Sequence, residues 1–235
     1  MKRFWDQASV ASTDDGFCIL LDGKAMHLPG GATLSIANEK LAAAIAAEWQ
    51  AAGGARDGEM SFAETPLTRL AGTAQEWIAP DPTPTVEGLA RYAEADLLCY
   101  RADHPEMLAQ RQARAWQPWL DWAAIAYDAP LKVTSGIMRV RQDASSLRAL
   151  CRAVQEMDPL TLAGLGVAVP ALGSLVLGLA LAESRLWAAE AHALAALDEL
   201  FQSELWGLDP EAERRLMSIA ADIETADRFM RLARA

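Results

Sequence analysis

The chain has 235 residues, 52% of them hydrophobic, with 32 acidic against 21 basic side chains and a formal net charge of −11. That length can bury a core without staples, and the charge leaves nothing to neutralise phosphates, which excludes nucleic acid and anionic membrane surfaces as partners. The three cysteines, Cys18, Cys99 and Cys151, are odd in number and far apart, so they form no disulfide framework and point to a reducing compartment.

The first third reads as β-rich. GFCILLDGKAMHLP holds two short apolar runs around Asp22-Gly23, a two-residue hairpin signal, and ATLSI reads as a third strand. NEKLAAAIAAEWQAAG predicts an amphipathic helix with Asn38 as its N-cap and Gly53-Gly54 as its end, and ETPLTRLAGTAQEWI continues helically after a turn. The proline-rich stretch near 79–85 reads as a linker or rigid loop. A domain boundary is placed there: a β-rich domain over 1–84 with hairpins and one or two helices, then a larger all-helical domain over 85–235. The expected fold class is α+β.

Beyond Val86, helical period and propensity predict helices near 86–94, 105–127, 143–156, 171–205 and 210–233, with a short strand or extended loop in KVTSGIMRV over 132–140. The last is the clearest: Asp209 caps it, Pro210 takes the first position, and Ala212, Leu216, Ile219, Ile223, Ala226, Met230 and Ala233 form one apolar seam. Residues 159–182 carry no charge and are long enough to cross a bilayer. Pro170, four glycines and acidic flanks argue against that, and a loop to Pro170 followed by a buried helix is expected instead.

AWQPWLDWAAIAY sets Trp116, Trp119 and Trp122 three residues apart. Burying one tryptophan is worth up to about 4–6 kcal/mol, so the stripe belongs in a core rather than on a surface. Pro118 predicts a break, with Trp116 ending one helix and partly exposed, and Trp119 and Trp122 mostly in the core of the next.

Catalytic motifs are lacking. No HExxH, CxxC, glycine-rich phosphate loop or GxSxG elbow occurs, so neither metal nor cofactor is expected. Cys99 and His104 form a conceivable nucleophile pair, outweighed by the reading of Cys99 as a buried small hydrophobe. The acidic stretch LAALDELFQSELWGLDPEAE has six carboxylates and no Lys or Arg. On one continuous helix Asp198, Glu199, Gln202 and Ser203 share a polar arc. Leu194, Leu197, Leu200, Phe201 and Leu205 lie opposite, and Glu204 falls within their arc and needs a partner. This is either a solvated face or an acidic docking patch with Trp206 turning beside it.

Several stretches together resemble one family. VASTDDGFCILLDGKAMHLPGGATLSI, LAAAIAAEW and TPLTRLAGTA, then ADLLCYRADHPEMLAQRQARAWQPWLDWA, TSGIM, LGSLVLGLAL and LDELFQSELWG, are similar in content and order to the F1-ATPase assembly chaperones that bind the α subunit, called ATP synthase F1 complex assembly factor 2 in mitochondria. The resemblance implies a β-containing domain followed by a helical one, and a non-enzymatic function. It implies a bacterial cytoplasmic chaperone that holds the unassembled α subunit until the β subunit replaces it, with no small-molecule substrate and no embedding in the membrane. The family's functional acidic position before its Trp-Gly pair falls on Asp198 and Glu199, with Glu199 the assigned residue. Trp49 matches the family's Ala-Glu-Trp motif and Arg69 its Pro-Leu-Thr-Arg motif. With Gln202 and Trp206, these are the expected partner-binding residues. The competing reading is a small-molecule enzyme using the carboxylates near 198–204.

Overall fold

The structure, a computed structural model, describes residues 1–136, 138–207 and 209–234. The chain divides into two compact units. One comprises Met1–Pro82, Pro159–Gly164 and Arg228–Ala235; the other comprises Thr83–Asp158 and Leu165–Asp227. Together they have the α+β character expected, strands near the N-terminus and helices after.

In the first unit β1 (Ala8–Thr13), β2 (Gly16–Leu21), β3 (Lys24–Ala25) and β4 (Ser35–Ile36) form one sheet in which β2 pairs antiparallel with the other three. The β2–β3 hairpin closes at Leu21 opposite Lys24, and Asp22 (φ 47°) and Gly23 (φ 78°) both take the left-handed conformation that a two-residue turn of this hand demands. Asp22 does a second job. Its carboxylate accepts the backbone N–H groups of Asp6 (3.0 Å) and Gln7 (2.9 Å), and these bonds hold its pKa below the usual carboxylate value. The strand expected in ATLSI is only its last two residues.

Helix α1 (Glu39–Ala51) starts at Asn38, whose Oδ1 accepts from Lys40 N at 2.8 Å and Leu41 N at 3.3 Å. It buries Leu41, Ala42, Ile45, Ala46 and Trp49. Its far end is closed by Arg3, a residue that local pattern does not single out. The buried guanidinium donates to the carbonyls of Gln50 (2.8 Å), Ala52 (3.2 Å) and Gly54 (3.0 Å), consuming orphan acceptors where a cation suits the helix dipole. Helix α2 (Pro66–Thr73) begins with proline at its first position and is capped from α1, because the Glu48 carboxylate accepts from Leu67 N and Thr68 N. Burial pushes the Glu48 pKa up against those bonds. A π-helical turn over Ala74–Ile78 follows.

In the second unit α3 (Thr83–Ala90) begins inside the stretch expected to be a linker, so the irregular connection is only 79–82. Pro84 is tolerated because it lies in the first turn, where no intrahelical N–H is required. Strand β5 (Tyr100–Arg101) leads into α4 (Glu106–Tyr127), and β6 (Thr134–Ser135) pairs with β5 in parallel, so a two-stranded piece interrupts an otherwise helical unit. Of the 132–140 segment, Ile137 lies outside the described residues. Helices α5 (Ala144–Gln155), α6 (Pro159–Leu172), α7 (Leu175–Ala182), α8 (Ala188–Ala195), α9 (Leu197–Trp206) and α10 (Pro210–Arg234) complete the chain, with Pro159–Gly164 of α6 and α10 from Arg228 onward belonging to the first unit.

Two prolines expected to break structure do not. Helix α4 runs unbroken through Pro118, and 159–170 is helix rather than loop, with Pro170 near its end. In each case the proline and the residue four before it, Arg114 or Gly166, are exposed. Each proline thus sits on the exposed face of its helix, where a carbonyl left without its helical donor is within reach of water, and the helix continues. With α4 continuous, Leu108, Gln112, Trp116, Leu120 and Ala123 fall on one buried stripe. Trp116 is thus 0% exposed, its indole N–H donating to Leu194 O at 2.9 Å, while Trp119 and Trp122 are half-buried on the flank. The expected order of burial among the tryptophans is reversed.

The single helix expected over 171–205 is four pieces. Gly173 (φ 62°) ends α6; Ser174 caps α7, its Oγ accepting from Leu177 N at 3.1 Å; Ser184 (φ 57°) turns the chain after α7; and Ala196 (φ −89°, ψ 10°) separates α8 from α9. No helix among the described residues is long and apolar enough to cross a membrane. Helix α7 is buried along its whole length, and Gly178 has no room for a side chain, since a Cβ there would collide with Val169 of α6. As expected, Asp209 caps α10, accepting from Glu211 N (2.8 Å) and Ala212 N (3.1 Å).

The deepest carboxylate of this unit is Asp96, at 0% exposure. Its Oδ1 accepts from Leu98 N and its Oδ2 from Val176 N, both at 3.1 Å, so it holds the turn before β5 and the start of α7 at once. Burial pushes its pKa up to about 6 despite these bonds. The folded state therefore keeps a proton that the unfolded state, at 3.8, has released. This group's contribution to stability is greatest in acid and falls as pH rises through the interval from about 4 to about 6, by on the order of 2–3 kcal/mol. Asp96→Asn does not titrate, so urea unfolding from pH 4 to 7 should show the variant's stability gaining on wild type across that interval; parallel curves contradict this.

Candidate functional site

The sequence points to α9, and the structure shows what holds it. Leu197 and Phe201 are its buried side, and Asp198 in the first turn is half-buried. Asp198 Oδ1 accepts from Gln112 Nε2 at 2.7 Å. Gln112 is 1% exposed, and its Oε1 in turn accepts from Ala102 N at 2.7 Å. Its backbone carbonyl accepts from Arg101 Nη1 at 2.5 Å, and the Arg101 guanidinium lies 5.2 Å from the centre of the Trp116 ring. Burial lowers the Arg101 pKa, since it penalises the charged form. A continuous polar path thus runs from the segment after β5, through α4, to the first turn of α9.

The outer face of α9 is less negative than the stretch alone implies. Glu199 is ion-paired with Arg215 of α10, and both carboxylate oxygens of Glu204 accept from Arg111 Nη1 of α4 at 2.8 Å. Glu204 thereby finds the partner it needs, while the break at Ala196 takes Leu194 off the helix and Leu205, expected on the apolar side, is 56% exposed. Gln202 is exposed, and Trp206 is 79% exposed where Gly207 (φ 80°) ends the helix. One helical turn from Arg111, Met107 is 72% exposed beside a shallow cavity of about 480 Å³ lined also by Gln110, Arg114 and Ala115. The face consists of exposed apolar side chains among opposite charges paired in solvent.

The remaining expected site residues lie in the first unit. Arg69 is exposed on α2. Trp49 is not a surface group: it is 5% exposed, 5.0 Å from the Trp5 ring, and its indole N–H donates to Thr68 Oγ1 at 2.8 Å. Its place on the apolar stripe of α1 is the reason. Sequence reading missed Gln112, Arg111 and Arg215. Gln112 carried a signal, an amide four residues from both Leu108 and Trp116 in an otherwise apolar row; the two arginines come from distant segments and carried none.

Neither this cavity nor one of about 830 Å³ lined by residues including Lys132, Arg141 and Asp143 has Asp198 or Glu199 in its wall. Burial pushes the Cys99 thiol up to about 12, as suits a core residue rather than a nucleophile.

Residues 2–124 match the family described as ATP12 chaperone protein. The chain is 40% identical to Atp12 from Paracoccus denitrificans, covering 99% of this chain and 98% of that one, with a TM-score of 0.91. It is equally similar to an aspartate-to-lysine mutant of that Paracoccus protein, covering 99% and 97% of the two chains at a TM-score of 0.91. A solved protein of Agrobacterium tumefaciens is 35% identical, with coverage of 98% and 85% and a TM-score of 0.89. The chain belongs to the ATP12 chaperone family.

The bridge at Gln112 makes a stability prediction. Gln112→Leu keeps the volume but strands the Ala102 N–H and the Asp198 carboxylate, a loss of about 1–3 kcal/mol in urea unfolding. Arg215→Ala, which removes a solvent-exposed pair, should cost under about 1 kcal/mol. Equal effects contradict the polar path as the element that holds α9.

Proposed function

We propose that this protein is an assembly chaperone of the F1 sector of ATP synthase, acting without catalysis in the bacterial cytoplasm. It holds the unassembled α subunit until the β subunit displaces it. Family membership supports the class of function, and one observation supports the place: the exposed Trp206 and Leu205 at the end of α9, next to the ion pairs Glu204–Arg111 and Glu199–Arg215. Exposed aromatic groups rimmed by charge are the composition of a protein-binding face. Exposed ion pairs are worth only about 0–1 kcal/mol, so their charges can re-pair with a client at little cost.

In this reading Glu199, Gln202 and Trp206 contact the client, and Asp198 orients them through Gln112. Arg69 supplies a further contact from the first unit, and Trp49 acts from within that unit's core. Complementary charge sets orientation and on-rate, and the apolar groups supply affinity. Release needs no nucleotide, because a β subunit that binds the same client surface more tightly displaces the chaperone by mass action.

Glu199→Lys puts two cations side by side with Arg215 on a solvent-exposed face. The variant should keep the wild-type helical circular dichroism and bind isolated F1 α subunit at least tenfold more weakly in a titration; Trp206→Ala should do the same. Wild-type affinity in both variants contradicts the assignment of this face, and loss of helical signal in Glu199→Lys would make Glu199 a structural residue.

A further inference from the structure

The first unit carries a cavity that the α9 face does not use. It holds about 480 Å³ and is walled by the β3 segment on one side, with Met26, Leu28 and Trp49 in its floor and Phe4 and Phe62 at its rim. The floor residues are 7%, 6% and 5% exposed, whereas Phe4 and Phe62 are 60% and 57% exposed. This is an apolar recess with two aromatic rings left in water around it. Its volume is that of a small-molecule or side-chain site.

Charge narrows the occupant. The lining includes Lys24 and His27 but no carboxylate, in a chain where acidic residues outnumber basic ones by 32 to 21. Lys24 is exposed and has no ion pair among the described residues. The complementary ligand is apolar and carries a negative charge beside its apolar group.

The backbone separates a polypeptide from a fatty acid. β3 is an edge strand. Lys24 pairs with Leu21 across the tight turn, Met26 N donates to Ile19 O at 2.8 Å, and Leu28 N donates to Ala32 O at 2.8 Å. These residues spend their backbone groups inward. By the period of two, Ala25 and His27 turn N–H and C=O to the outer edge. Alternate outward groups along the wall of an apolar recess are the arrangement that accepts an added strand, in which every second side chain enters the recess.

We propose that this recess is a second binding site, for an extended polypeptide segment that pairs with the Ala25–His27 edge, inserts an apolar side chain between Phe4 and Phe62, and sets a carboxylate opposite Lys24. It is independent of the α9 face, so the two stand or fall separately.

The test uses the full chain and three probes: a fluorescein-labelled heptapeptide with leucine at its second and sixth positions, aspartate at its fourth and serine elsewhere, so that leucine and aspartate share one face, the same peptide with lysine for aspartate, and oleate. Anisotropy should show the acidic peptide binding at least tenfold more tightly than the basic one. Lys24→Glu should abolish or reverse that preference, and Phe62→Ser should weaken the acidic peptide at least tenfold. N-methylation of the alternate set of residues that turns its N–H groups to the edge should weaken the acidic peptide similarly, and N-methylation of the other set should not. Glu199→Lys should leave peptide binding unchanged, which separates this site from the α9 face. Equal affinity for both peptides, indifference to Lys24→Glu, or binding of oleate without the acidic peptide overturns the proposal.

Discussion

The buried amide of Gln112 is the interaction on which the orientation of α9 depends. A primary amide in an apolar stripe is costly unless both ends are satisfied. Here Oε1 takes the Ala102 N–H and Nε2 gives to Asp198. The cost of leaving either end empty is what specifies the position of α9 against α4. Leu197 and Phe201 supply apolar burial on the same helix, but apolar contact is non-directional and alone would allow rotation about the helix axis. The polar bridge removes that freedom, so the outward direction of Glu199, Gln202 and Trp206 follows from a contact made inside.

A division of labour follows between buried and exposed charge. The buried ionised or polar groups, Arg3, Asp96, Arg101 and Gln112, each bond backbone groups and do structural work. The exposed ones on α9 meet each other across helices in solvent, where pairing is weak and exchangeable. The proposed function, holding and releasing a client, calls for the second kind on the surface and the first beneath it.

Local rules made much of this legible. The Asp22-Gly23 hairpin, the Asn38 and Asp209 caps and the seam of α10 each depend on residues close in sequence, and each was readable from turn chemistry or period. The failures have one cause in common, which is that burial is not a local property. Pro118 and Pro170 look like breakers until they are found on the exposed faces of their helices. Trp116 is buried and Trp119 only half so because α4 continues, which no local pattern around Pro118 conveys. In the site, the carboxylates were visible but their arginine partners were not, since Arg111 and Arg215 reach α9 from other helices. Trp49 shows the converse, since a motif residue matched by family turned out to be part of the core.

In the proposed function the outer face of α9 covers the F1 α subunit and is freed by the β subunit. Hydrogen exchange of the full chain, followed by mass spectrometry of peptides covering 197–206, tests it most directly. Isolated α subunit should slow exchange in those peptides, and adding β subunit should restore the free-chain rate. Unchanged exchange across 197–206 in a mixture where α subunit is demonstrably bound would contradict it.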